Sequence, residues 1–132
     1  KTDLLEWKPL LQFLPYNIKI RIDNLYRYFI RLRPSVVHAW QDNTNILAGV
    51  AAAMAGVPKI LLSARSLRPD RKTKLHAINT QHAKNCYLSL LSLPAVTLCV
   101  NSAAAAESYA QWLDLDKDLF PVHYNGIDWK IL

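Results

Sequence analysis

Arg65 and Arg68 stand beside Ser63 and Ser66 in the stretch Ser63-Ala64-Arg65-Ser66-Leu67-Arg68-Pro69-Asp70. Guanidinium forks grip phosphate or carboxylate through paired hydrogen bonds, and serine hydroxyls add further donors. The chemistry on offer is anion recognition; the plainer alternative is a solvated basic loop. His38, Asp42 and Asn45 form a second group. Short carboxylate and amide side chains make directional bonds to a polyol, but equally cap a following helix. His38 either faces a ligand or is a core histidine bonded to a neighbour. Asn101-Ser102 is a third group, a helix N-cap by residue type whose helix end also attracts anions. Asn125, Gly126 and Asp128 read as a turn and hinge, with glycine allowing the bend. The sequence holds no G-x-S-x-G, H-E-x-x-H, Walker loop or Cys/His cluster, so it assigns no catalytic residue and no metal ligand.

The elements that must position these groups follow from periodicity. Leu4 to Leu14 has a loose helical pattern interrupted by Pro9. Ile18, Ile22, Leu25, Phe29 and Leu32 recur at helical steps, and Pro34 ends that helix. Val36 to Trp40 reads as a buried strand, Gln41 to Asn45 as a polar turn, and Ile46 to Ala55 as a buried helix closed by Gly56 and Pro58. Lys59 to Ala64 is the next strand. Lys74 to Leu91 is predicted as one helix, Ala95 to Val100 as a strand, and Asn101-Ser102 caps a helix reaching about Leu113. Leu119 to Tyr124 is predicted as a fourth strand, at an edge because of Pro121. Alternating strands and helices predict an α/β fold: a Rossmann-like parallel sheet with flanking helices. Such sheets bind ligands beyond the carboxyl ends of their strands, where the groups above fall.

A chain of 132 residues, 52% of them hydrophobic, suits one compact domain. The net charge of +6 favours anionic partners: phosphates, acidic sugars or anionic lipid surfaces. Nucleic acid is not expected, because no recognition motif or basic-aromatic face accompanies the charge. Arg71, Lys72 and Lys74 read as a surface for anionic lipid or another domain. Cys86 and Cys99 read as buried reduced thiols, and His76, His82 and His123 lack paired ligand spacing and read as structural, as do Trp7, Trp112 and Trp129. No signal peptide is visible and no apolar run is long enough to span a bilayer, which gives a cytoplasmic expectation.

Three segments resemble family 4 glycosyltransferases of the GT-B fold. Arg33-Pro34-Ser35-Val36-Val37-His38-Ala39-Trp40, with Ile46-Leu47-Ala48-Gly49 and Ala55-Gly56-Val57-Pro58, is similar to the family's R-P-D-V-V-H-x-H, helix, A-G-V-P stretch. Val100-Asn101-Ser102 is similar to its strand-end N-S. Tyr124-Asn125-Gly126-Ile127-Asp128 is similar to the N-G-[IV]-D at which members cross into a second domain. Within the family, His38 to Asn45 and Ser63 to Asp70 resemble a subgroup of capsular polysaccharide biosynthesis, the Vi antigen type. Trp40 departs from the family in standing where many members have a second histidine.

The resemblance implies transfer of a sugar, with retention, from a nucleotide-sugar donor to a polysaccharide or lipid-linked acceptor in capsule or exopolysaccharide synthesis. It implies that residues 1–124 are part of the acceptor-side domain, and that 125–132 begin an interdomain linker. The donor-binding domain, with its paired glutamates, would lie outside this chain. No cofactor is implied beyond the nucleotide sugar, held mainly by that other domain. Substrate-binding residues would be His38, Asp42, Asn45, Ser63, Arg65, Ser66, Arg68, Asn101 and Ser102. Work at the inner face of the membrane fits the basic charge. The competing reading is a non-catalytic Rossmann-like domain that binds a ligand or a protein.

Overall fold

The computed structural model describes residues 4–70, 78–128 and 130. The elements run α1 (Leu4–Leu11), α2 (Tyr16–Leu32), β1 (Val36–Trp40), α3 (Asp42–Met54), β2 (Lys59–Ala64), α4 (Thr80–Leu91), β3 (Val96–Val100) and α5 (Ala103–Leu113), then a 3₁₀ turn at Lys117–Leu119. The strands form a three-stranded sheet in the order β1-β2-β3. Both pairings are parallel, with Trp40 opposite Ser63 and Ser63 opposite Cys99. The α/β, Rossmann-like expectation holds.

α3 lies between α2 and the sheet, which is why its Ala-rich sequence is apolar nearly all round. Gly49 permits the close approach. A Cβ there would sit 3.1 Å from Leu90 Cδ1 and 3.2 Å from Leu62 Cδ2. The helix ends in a Schellman motif: Gly56 N–H donates to Ala53 O and Val57 N–H to Ala52 O, with Gly56 at φ +73°. α2 ends at Arg33, which takes the left-handed conformation before Pro34.

Strand alternation sorts side chains onto two faces. Val37, Ala39, Ile60, Leu62, Ala64, Val96, Leu98 and Val100 are buried in the core with the helices. His38, Trp40, Leu61, Ser63, Thr97 and Cys99 occupy the other face, where Trp40 is half exposed and Cys99 is buried.

The boundaries correct the sequence reading in three places. α3 begins at Asp42, not Ile46, so the expected polar turn is its first helical turn and its N-cap position is Gln41. α4 begins at Thr80, because Asn79 caps it by accepting from His82 N–H at 2.8 Å. The expected segment from Lys74 up to Ile78 falls in part on residues 71–77, so Arg71, Lys72, Lys74 and His76 lie outside the described residues, as does Trp129. The expected fourth strand is a single parallel bridge, Val100 to Val122. Val100 N–H donates to Pro121 O at 2.9 Å and His123 N–H to Val100 O at 2.8 Å. Two causes limit it: Pro121 has no N–H to give, and Asp116 starts a helical turn by accepting from Asp118 N–H.

Candidate functional site

A cavity of about 460 Å³ opens at the carboxyl ends of the three strands. Its wall includes His38 and Trp40 from β1, Ser63 and Arg65 from β2 and its exit, Cys99 from β3, and the crossing segment His123 to Gly126. This is where an open α/β sheet holds ligands. His38 and Trp40 alternate on β1, so they share a face; their ring centroids are 5.2 Å apart. Trp40 Nε1–H donates to His38 Nδ1 at 3.3 Å. His38 Nε2 lies 2.8 Å from Ser63 Oγ.

Arg65 leaves β2 on the same side as Ser63 and lays its guanidinium over Trp40, with Cζ 4.8 Å from the ring centroid. One of its terminal nitrogens donates to Asn125 Oδ1 at 2.5 Å, and its carbonyl accepts from Asn101 Nδ2 at 3.2 Å. Arg65 thus ties the crossing segment to the sheet. The cavity pairs a permanent cation with an aromatic wall, a combination suited to an anionic or polyhydroxylated ligand.

Behind the cavity is a buried polar network. Asn45, fully buried, accepts from Ser63 N–H at 3.3 Å and donates to Ser63 O at 3.1 Å and to Tyr87 Oη at 3.2 Å. The Tyr87 and Tyr109 hydroxyls each donate to Asp42 Oδ1 at 2.5 Å. Burial raises the Asp42 carboxyl above its ordinary value, against the opposing pull of the Tyr109 and Tyr87 hydrogen bonds. Burial likewise raises Tyr87 and Tyr109, and the carboxylate beside them adds to it. The Cys99 thiol is raised by burial too.

The sequence candidates therefore separate. His38, Ser63, Arg65, Asn125 and Gly126 line the cavity. Asp42 and Asn45 are buried behind it, with Asn45 gripping the Ser63 backbone. Asn101 holds the Arg65 carbonyl, and Ser102 caps α5 by accepting from Ala105 N–H at 3.1 Å. Ser66 and Arg68 turn away: Ser66 Oγ donates to Leu67 O, Arg68 N–H donates to Ser108 Oγ, and the Arg68 guanidinium donates to Pro69 O. Asp128 is exposed and accepts from Lys130 N–H. Sequence reasoning passed over Trp40, Tyr124 and the Tyr87–Tyr109 pair. Trp40 carried a signal, since it alternates with His38 on one strand. The tyrosines carried none, because nothing local aims two helices at one carboxylate. Among the described residues no group of three or more His, Cys, Asp or Glu could hold a metal ion, and no helix is long and apolar enough to cross a membrane.

The chain is similar to the Vi polysaccharide biosynthesis protein VipC/TviE of Salmonella typhi, with 31% identity over 122 residues. Those residues are 92% of this chain and 21% of that protein, so the chain spans about a fifth of the relative's length. No family model matches the chain. No solved structure matches it either.

Proposed function

We propose that the chain is the acceptor-side part of a retaining glycosyltransferase of the GT-B fold, family 4, acting in capsular or exopolysaccharide synthesis. The donor would be a nucleotide sugar held mainly by another domain, and the acceptor a glycan or lipid-linked glycan. The observation that carries this reading is the convergence of His38, Ser63, Arg65 and Asn125 on one cavity at the carboxyl ends of a parallel sheet. The relative's name supports the setting, polysaccharide biosynthesis. The exposed Arg21, Arg27 and Arg31 of α2 support work beside an anionic membrane face.

In this reading the residues of the chain bind and orient. Arg65 neutralises an anionic group, Ser63 fixes an oxygen atom of the ligand, and His38 holds the Ser63 hydroxyl towards it. Trp40 offers its exposed ring to a sugar face. Asn125 to Asp128 serve as the hinge, with the Arg65–Asn125 bond linking hinge and cavity. Catalysis then comes from positioning and charge stabilisation across the cleft between domains.

Sugar transfer by the full-length protein tests the reading, using a panel of nucleotide sugars with membrane-derived acceptor. Transfer that falls on Arg65→Ala, with the melting temperature unchanged, supports it. Glycan or protein binding without transfer from any donor supports the non-catalytic alternative instead.

A further inference from the structure

Trp40 sets the direction of the hydrogen bonds that cross the cavity. An indole N–H can only donate. It lies 3.3 Å from His38 Nδ1, which makes Nδ1 the acceptor nitrogen of a neutral ring. The ring proton then sits on Nε2, the nitrogen 2.8 Å from Ser63 Oγ. His38 therefore donates to Ser63, and the serine hydrogen must point elsewhere. Among the described residues it meets no acceptor. The sequence of bonds is Trp40 to His38 to Ser63 to whatever enters the cavity, each bond polarising the next.

Ser63 and Arg65 are two residues apart along the same chain line and face the same cavity. Arg65 is held in place by the Trp40 ring, by Asn125 at its guanidinium and by Asn101 at its carbonyl. Guanidinium nitrogens have only hydrogens to give. His38 takes one of the two acceptor positions of the Ser63 hydroxyl and leaves its O–H to give. Donors from two side chains and a positive charge thus converge, and an oxyanion answers both the donors and the charge where a neutral hydroxyl answers only the donors.

Taking the cavity as the ligand site of the proposed function, we infer that Ser63 and Arg65 together bind one oxyanion of the ligand, a phosphate or a carboxylate. Trp40 is the positioning residue that makes Ser63 a donor to it. The nucleus of the site is therefore an oxyanion clamp, selective against neutral sugars.

Titration calorimetry on the full-length protein tests this with inorganic phosphate, glucuronate and glucose. One of the two anions binds and glucose does not; phosphate identifies a phosphorylated ligand and glucuronate an acidic sugar. Ser63→Ala removes the donor, and Trp40→Phe keeps a ring beneath Arg65 while removing the N–H. Each weakens anion binding about tenfold, the effect of losing one hydrogen bond to a charged group. Ser63→Thr, which keeps the hydroxyl, restores it. Nitrogen-15 spectra of imidazole-labelled protein, assigned with His38→Gln, show the Nε2–H tautomer in wild type and a mixed tautomer in Trp40→Phe. Glucose bound as tightly as glucuronate, no binding of either anion, anion affinity unchanged in both variants, or a proton on Nδ1 of wild-type His38 overturns the inference. Anion binding by a protein that transfers no sugar supports it and overturns the transferase reading alone.

Discussion

Asn45 grips Ser63 by both backbone groups, accepting from its N–H at 3.3 Å and donating to its carbonyl at 3.1 Å. Ser63 also has a strand partner on each side, Trp40 and Cys99, so the amide adds a third hold at the carboxyl end of β2, the point from which Ser63 and Arg65 enter the cavity. Asn45→Ala would remove three hydrogen bonds from a buried network, although the Ser63 carbonyl keeps Gln41 N–H and the Tyr87 hydroxyl keeps Asp42. Removing it should cost about 2–4 kcal/mol, as deletion within a satisfied buried network does. Denaturant unfolding measures the loss; a change below about 0.5 kcal/mol, the range of ordinary surface substitutions, would contradict the role assigned to it.

Asp42 makes stability depend on pH. Its folded-state carboxyl is raised from the ordinary 3.8 by burial, so the folded chain holds the proton more tightly than the unfolded chain. The folded state is then favoured at low pH and loses that advantage as pH rises from 3.8 through the raised value. Asp42→Asn keeps an oxygen for both tyrosine hydroxyls and cannot ionise. Relative to wild type, the Asn variant should gain stability as pH rises from 4 to 7.5. Parallel unfolding curves across that range read the difference, and a wild type that gains on the variant as pH rises reverses the sign.

Gln41 sits at φ 71° and ψ 151°, a region open to glycine and strained for other residues. It joins β1 to α3 with its N–H on the Ser63 carbonyl, so the sheet's carboxyl edge holds the strain in place. Gln41→Gly should raise stability by about 1 kcal/mol, the strain released less the flexibility glycine adds to the unfolded chain. Thermal unfolding checks it: a lowered melting temperature means that Gln41 contributes contacts outweighing its backbone.

Periodicity made the architecture legible. Val36 to Trp40 and Lys59 to Ala64 are strands as expected, and the apolar circumference of Ile46 to Ala55 pointed to a helix covered on two sides. Local preference misled where tertiary bonds decided. Asp42 and Asn45 have the side chains of helix caps, yet two tyrosines and a strand backbone claim them, and α3 starts four residues earlier than Ile46. Strand-end position and charge grouped Arg65 and Arg68 with Ser63 and Ser66, and the structure places Ser63 and Arg65 of that group on the cavity wall. Arg68 follows the same strand, but its N–H is bonded to Ser108 Oγ and its guanidinium to Pro69 O, away from that wall. Trp40 meets His38 on its own strand, which alternation shows, and Arg65 at the exit of β2, which local sequence does not show.

Under the proposed function, Arg65 and not Arg68 binds ligand in this cavity. The measurement is kcat/KM for sugar transfer by the full-length protein, with Arg65→Ala and Arg68→Ala compared at equal thermal stability. Arg65→Ala should lower it at least about tenfold, the loss of one charge-assisted contact, while Arg68→Ala stays within about twofold of wild type. Equal losses in the two variants, or a loss confined to Arg68→Ala, would contradict the account.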